Sequence, residues 1–179
     1  MSFRWFANGF VPGINPRKQA VLGLSFLVLA GCGGGGGGTA ERLVHGRGYA
    51  FSAPLGWPLL RSGREVRLTK GIAVLSVTRF PLLRAYRPAL WGRVLPELDG
   101  AAAAIARQQN GTVGSSETVT ISGRRARRYE VVYEREGRQL VERLGFVLLG
   151  KTEYLLLCRY ESGGDTDPCD RLLATFRLA

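Results

Sequence analysis

Apolar residues recur along this chain with two different spacings, and one early stretch shows no alternation at all. From Tyr49 the spacing is two: Tyr49, Phe51 and Ala53 fall on one side until the Pro54-Leu55-Gly56-Trp57-Pro58 cluster ends the run. Val66 to Leu68 and Ile72 to Phe80 predict two further strands joined through Lys70-Gly71. In the second, Ala73, Leu75, Val77 and Arg79 share one face and Ile72, Val74, Ser76 and Thr78 the other. Pro81 and Pro88 interrupt the next stretch, to Arg93, which keeps no clear period. The spacing then lengthens. With Pro96 at the first helical position, Leu98, Ala101, Ala102, Ile105 and Gln109 predict a helix, and Asn110-Gly111 supplies its stop.

Period two returns over Thr118–Ile121, Ala126–Tyr133, Leu140–Leu149 and Glu153–Tyr160. Ser122-Gly123, Glu136-Gly137 and Gly150-Lys151 are short enough to join these runs as antiparallel neighbours. Leu140 to Leu149 and Tyr154 to Cys158 are apolar on both faces, which marks central strands covered from both sides. Asp167 as N-cap and Pro168 at the first position predict a final helix with Leu172, Leu173 and Phe176 as its buried stripe. The expected class is α+β: an antiparallel sheet packed against a central helix and a C-terminal helix.

The stretch without alternation is Ala20 to Ala30, an apolar run without a charge, preceded by Arg17 and Lys18. It is too short for the roughly 20 residues of a membrane span and matches the apolar centre of a secretory signal. Leu29-Ala30-Gly31-Cys32 closes it, and this resembles the lipobox of bacterial lipoproteins. That resemblance implies a diacylglyceryl group on the Cys32 thiol and cleavage just before it. The segment ahead of Arg17 is long for a signal, so translation begins either at Met1 or at Val11. Gly33 to Gly38 are six consecutive glycines, with nothing to bury and much backbone entropy to lose. Some ten such residues give an r.m.s. reach of roughly 16–19 Å. The expected division is a signal over 1–31, a lipidated cysteine and flexible tether over 32–45, and one extracytoplasmic domain over 46–179.

Charge changes meaning once that division is drawn. The whole chain carries 25 Lys+Arg against 14 Asp+Glu, a formal +11, which would ordinarily point to nucleic acid. Removing Arg4, Arg17 and Lys18 leaves 22 against 14, or +8, outside the cytoplasm and near an anionic bilayer. Nucleic acid is therefore not an expected partner. The expected partners are the bilayer, through the acyl anchor, and a protein of the cell envelope.

An aromatic strand followed by Pro54-x-Gly56-Trp57 is the first of several shared features. Strands around Gly123, Tyr129 and Tyr154 and a closing helix ending in Phe176 complete a pattern that resembles the PsbP-like family. The resemblance implies an α/β/α sandwich on an antiparallel sheet. It supplies no catalytic set, because that family shares none.

Candidate chemistry is sparse. Cys158 and Cys169 remain once Cys32 is assigned to lipid, an even pair suited to a structural disulfide in an exported chain. They lack the CxxC spacing of a redox pair and the further ligands that zinc needs. His45 is the only histidine and falls in the expected tether. Asp165, Asp167 and Asp170 lack the ligand repeat of a calcium loop and suit a helix N-terminus. Glu130, Glu134 and Glu142 offer carboxylates for a hydrolase, but strand carboxylates opposite arginines are commonplace. Trp57 and Trp91 are candidates for a ligand cleft or, more simply, for the core. Arg124, Arg125, Arg127 and Arg128 form the densest basic run, a candidate contact for anionic surfaces. Alternation sends its members to opposite faces, with Arg128 placed beside Glu130. The reading is a membrane-anchored, non-catalytic accessory lipoprotein with no cofactor beyond the lipid. A small-ligand or solute-binding lipoprotein is the alternative, and a cell-envelope hydrolase the remote one.

Overall fold

A computed structural model describes residues 40–179; Cys32, the apolar run before it and the glycines after it lie outside the described residues. The elements in chain order are β1 (Glu41–Gly46), β2 (Tyr49–Pro54), β3 (Leu59–Ser62), β4 (Glu65–Lys70) and β5 (Ala73–Tyr86). A 3-10 turn (Pro88–Leu90) leads into α1 (Trp91–Gln108). Then come β6 (Thr112–Ile121), β7 (Arg124–Arg135), β8 (Arg138–Glu161), α2 (Asp167–Thr175) and β9 (Arg177–Leu178). The main sheet is antiparallel with order β3-β4-β5-β8-β7-β6, and a smaller sheet has order β1-β2-β9.

β8 is a folded-back element. Its 24 residues would reach about 80 Å if extended. Residues 138–147 pair with β7, whereas residues 150–159 pair with β5. Across the fold-back, Ser162 N–H donates to the Gln139 carbonyl at 2.8 Å and Arg159 Nε donates to Glu142 at 2.9 Å. The reversal sits at Gly150, whose φ of 54° is the left-handed geometry a tight hairpin needs. This is the Gly150-Lys151 turn that the apolar spacing predicts.

Two cores cover the two faces of the main sheet. On one, α1 lays Trp91, Val94, Leu98, Ala102 and Ala106 against Tyr129, Val131, Tyr133, Leu144 and Phe146. On the other, the small sheet and α2 pack Val44, Phe51, Leu172 and Phe176 against Leu75, Val77, Leu156 and Cys158. Tyr49, Tyr154 and Phe176 form an aromatic knot here, with centroids 5.7–5.9 Å apart. Among the described residues, the two cores together draw on β1, β2, β4 to β8, both helices and the α2–β9 junction. The sheet with its two helices is the α+β arrangement expected from the spacing.

Several boundaries differ from the expectation: β3 was not expected, β5 runs on from Phe80 to Tyr86, and β6 begins at Thr112, ahead of Thr118. The tether assigned to 32–45 gives way to β1 at Glu41, and every residue of β1 pairs with β2. Its polarity hides it, because only Val44 is buried. The strand is held by its ladder, by Arg42 donating to the Trp57 carbonyl and by the Arg171–Glu41 ion pair. α1 begins at Trp91, so Pro96 lies inside the helix and not at its first position. Trp91 and Val94 extend the apolar stripe by a turn, and burying them outweighs the backbone hydrogen bond that Pro96 removes. In α2 the cap shifts by one: Thr166 is the N-cap, and the Asp165 carboxylate accepts from Asp167 N–H at 2.9 Å. Pro81, which looked like a breaker, continues β5 opposite Thr152. β4 pairs with β5 only as far as Thr78, so the missing N–H faces no partner strand.

Cys158 and Cys169 form a disulfide with a Cα–Cα distance of 5.4 Å, tying the first turn of α2 to β8. Both cysteines are buried. Replacing both with alanine should lower unfolding stability by about 2–4 kcal/mol, the value of a loop this short. Urea denaturation under non-reducing conditions checks this, and an unchanged midpoint would mean that apolar packing alone docks α2.

Candidate functional site

The small sheet is shorter than the strands it covers. β1 and β2 have six residues each, whereas β5 has fourteen and runs on past them. Where the cover stops, four stretches surround a cleft of about 350 Å³. They are the β1–β2 turn, the β3–β4 turn, β5 at Arg79–Pro81 and β8 at Lys151-Thr152. Left-handed glycines sharpen three of these turns: Gly48 at φ 80°, Gly63 at 53° and Gly150 at 54°. Each stands beside a basic residue, namely Arg47, Arg64 and Lys151. The cleft thus gathers Arg47, Arg61, Arg64, Arg79 and Lys151 around a single carboxylate, Glu65.

That carboxylate is already engaged, with Arg67 Nε and Nη2 donating to its Oε1 at 3.0 and 2.8 Å. Among the described residues, none of the five cleft cations forms an ion pair. Arg61 donates to the His45 carbonyl and so ties the main sheet to β1. Arg79 is half-buried, its guanidinium 5.8 Å from the centre of the Tyr154 ring, and its Nε is buried without a hydrogen-bond partner. Tyr49 closes one wall, donating to the Val77 carbonyl at 3.2 Å. Burial pushes its hydroxyl up to about 12 against the pull of Arg61 and Arg79, so it stays a neutral donor. The Tyr49 ring lies so close to Gly46 that a Cβ there would meet ring carbon at 2.0 Å. No histidine or cysteine lines the cleft.

The Arg124-to-Arg128 run opens β7 and is divided between the two faces of the sheet. On the α1 side, Arg125 lies 5.8 Å from the centre of the Trp91 ring and Arg127 lies 5.5 Å from that of Tyr129. Arg127 also donates to Ser116 Oγ at 2.8 Å, and its Nε is 3.6 Å from Asp99. Arg128 does face the opposite side, but its partner is Glu117, directly across the β6–β7 ladder, and not Glu130. Glu130 is taken by Arg143 at 2.9 Å, which also holds Asp170 of α2 at 2.6 Å. Arg124 and Arg125 remain exposed.

The other candidates resolve into structural roles. Trp57 and Trp91 are core residues, one on each face. His45 lies in β1 with its side chain exposed. Glu142 is buried and accepts from Tyr133 Oη at 2.9 Å and from Arg159 Nη2 at 2.8 Å. It faces α1, whereas Glu130 pairs with Arg143 on the reverse side, so these carboxylates do not oppose each other. Among the described residues no group of three or more His, Cys, Asp or Glu is placed to hold a metal ion.

Two features escaped the sequence reading. The cleft draws its cations from positions 47 to 151, so no contiguous run announces it. A basic residue beside a turn glycine does not single it out either, because Lys70-Gly71, Gly123-Arg124 and Gly137-Arg138 show the same local pattern away from the cleft. Glu153, only 3% exposed beside the cleft residue Thr152, was also missed, because its position reads as the polar half of an alternating strand. Burial alone raises its carboxyl to about 8, and Oε2 has no hydrogen-bond partner.

No family model matches the chain, and no curated protein matches it. Among solved structures, a protein of Bacteroides thetaiotaomicron is similar at 14% identity and a TM-score of 0.51, over 74% of this chain. The chain spans 45% of that structure's length, and the likeness supports the fold alone. LpqN, involved in cell envelope biogenesis of Mycobacterium tuberculosis, aligns with 78% of this chain and 91% of its own. There the identity is 12% and the TM-score 0.47.

Glu153 generates a pH dependence whose sign is set by its raised pKa. The folded state holds this proton where the unfolded chain has lost it, so its contribution is fully present below about pH 4.5. It is lost as pH rises through about 8. The melting temperature should therefore fall by several degrees more between pH 5 and 9 in the native chain than in Glu153→Gln. Parallel curves for the two proteins would count against this assignment.

Proposed function

We propose that this chain is a lipid-anchored, extracytoplasmic accessory protein that recognises an anionic partner through the basic cleft and performs no catalysis of its own. The cleft carries the reading: five cations converge on a pocket whose one carboxylate is already bound to Arg67. Clefts lined by one sign of charge focus the field and draw in counter-charged ligands. The lining pairs no nucleophile with a free base, which favours binding over hydrolysis. Its volume lies at the lower end of small-ligand sites, so a single anionic group on an envelope component or solute is the natural occupant.

The location rests on the lipobox ending at Cys32 and is supported by the Cys158–Cys169 bond, since disulfides persist outside the cytoplasm. Among the described residues no helix is long and apolar enough to cross a membrane. In this reading attachment is through acyl chains on Cys32, which hold a domain stably when two or more are present.

Replacing Cys32 with serine should move the protein from the membrane fraction to the soluble fraction or leave its signal uncleaved. Fractionation with immunoblotting reads this out. Unchanged partition and processing would refute lipid anchoring.

A further inference from the structure

The charge and shape of the cleft narrow the class of anion, an inference that rests on the anion-binding reading above. We propose that it binds a phosphate group, as a phosphomonoester, a phosphodiester or a diphosphate, with Arg79 as the inner contact and Arg64 and Lys151 at the exposed rim.

Charge comes first. One carboxylate would satisfy one guanidinium and leave four like charges crowded at the mouth of the same 350 Å³ space. A phosphate presents several oxygens and up to two charges, and a diphosphate more, so each answers several cations at once. Geometry agrees. A guanidinium is a planar fork that matches phosphate oxygens two at a time, and four of the five cations are arginines. Arg79 is held in place before any ligand arrives. Its guanidinium lies over Tyr154, its backbone N–H is fixed to the Arg64 carbonyl at 3.0 Å, and its buried Nε lacks an acceptor. Arg79 lines the cleft, so an oxygen entering it meets this side chain. Ser62 and Thr152 add hydroxyl donors, while Phe80 and Pro81 leave an apolar wall for whatever carries the phosphate.

The same chemistry is offered by a soluble phosphorylated compound and by a phospholipid headgroup. Calorimetric titration of the chain from residue 33 onward with pyrophosphate and with glycerol 3-phosphate tests the first source. Co-sedimentation with phosphatidylglycerol vesicles, against phosphatidylcholine vesicles, tests the second. Citrate serves as the polyvalent anion without phosphorus. Saturable binding in either arm should weaken at least tenfold in Arg79→Gln and in the Arg64→Ser/Lys151→Ser pair. It should persist in Arg124→Ser/Arg125→Ser. The rim pair is exposed, so it remains informative if Arg79→Gln does not fold. Citrate bound as tightly as pyrophosphate would overturn the phosphate assignment while leaving an anion site. No saturable binding to any probe would overturn both. Binding abolished by the β7 substitutions and untouched by those in the cleft would place it elsewhere and overturn the proposal.

Discussion

β8 is apolar on both faces along most of its length, and a strand of that kind requires cover on both sides. The rest of the molecule answers that requirement. α1 crosses between β5 and β6 to cover one face, with Ala102 and Ala106 small enough to let it lie close. The N-terminal hairpin and α2 cover the other, and β9 extends their small sheet at its far edge. Because that second cover is assembled from short pieces, it needs ties. The disulfide supplies one, the Arg143–Asp170 pair another, and Thr175 Oγ1, accepting from Ser52 N–H at 2.9 Å, a third.

The cleft follows from the same constraint. A hairpin of six-residue strands ends before the sheet beneath it does, and turn residues then crowd around the uncovered end. Turns expose polar side chains. Here the side chains are basic, and the one carboxylate among them, Glu65, is engaged by Arg67. Elsewhere the acids are spent on ladder partners: Glu117 on Arg128, Glu130 on Arg143 and Glu142 on Arg159. The arginine excess seen in composition is thus unevenly distributed. It is largely paired along β7 and β8 and unpaired at one end of the sandwich.

Much of the fold was legible because local rules and burial agree there. Leu75 and Val77 fall on the face that period two assigns them, and Gly71, Gly123, Gly137 and Gly150 all adopt the left-handed geometry of turns. Asn110 ends α1 at φ 55°, as its position predicted. The misreadings occur where a tertiary contact outweighs a local signal. β1 looks like a linker because its stability comes from partners across the ladder, and Pro96 looks like a helix start because Trp91 gives no sign of its burial until the sheet is in place.

The sequence by itself determined the two periodicities, the turn glycines, the pairing of Cys158 with Cys169 and the resemblance of Leu29-Ala30-Gly31-Cys32 to a lipobox. These are properties of neighbours in the chain or of simple elimination, and they need no third dimension. Only the tertiary structure decided which carboxylates the arginines meet, that Glu153 is buried without a full set of partners, and that Arg47, Arg61, Arg64, Arg79 and Lys151 share one cleft. Electrostatic interaction depends on distance through space, and residues more than a hundred positions apart acquire that distance only when the sheet closes.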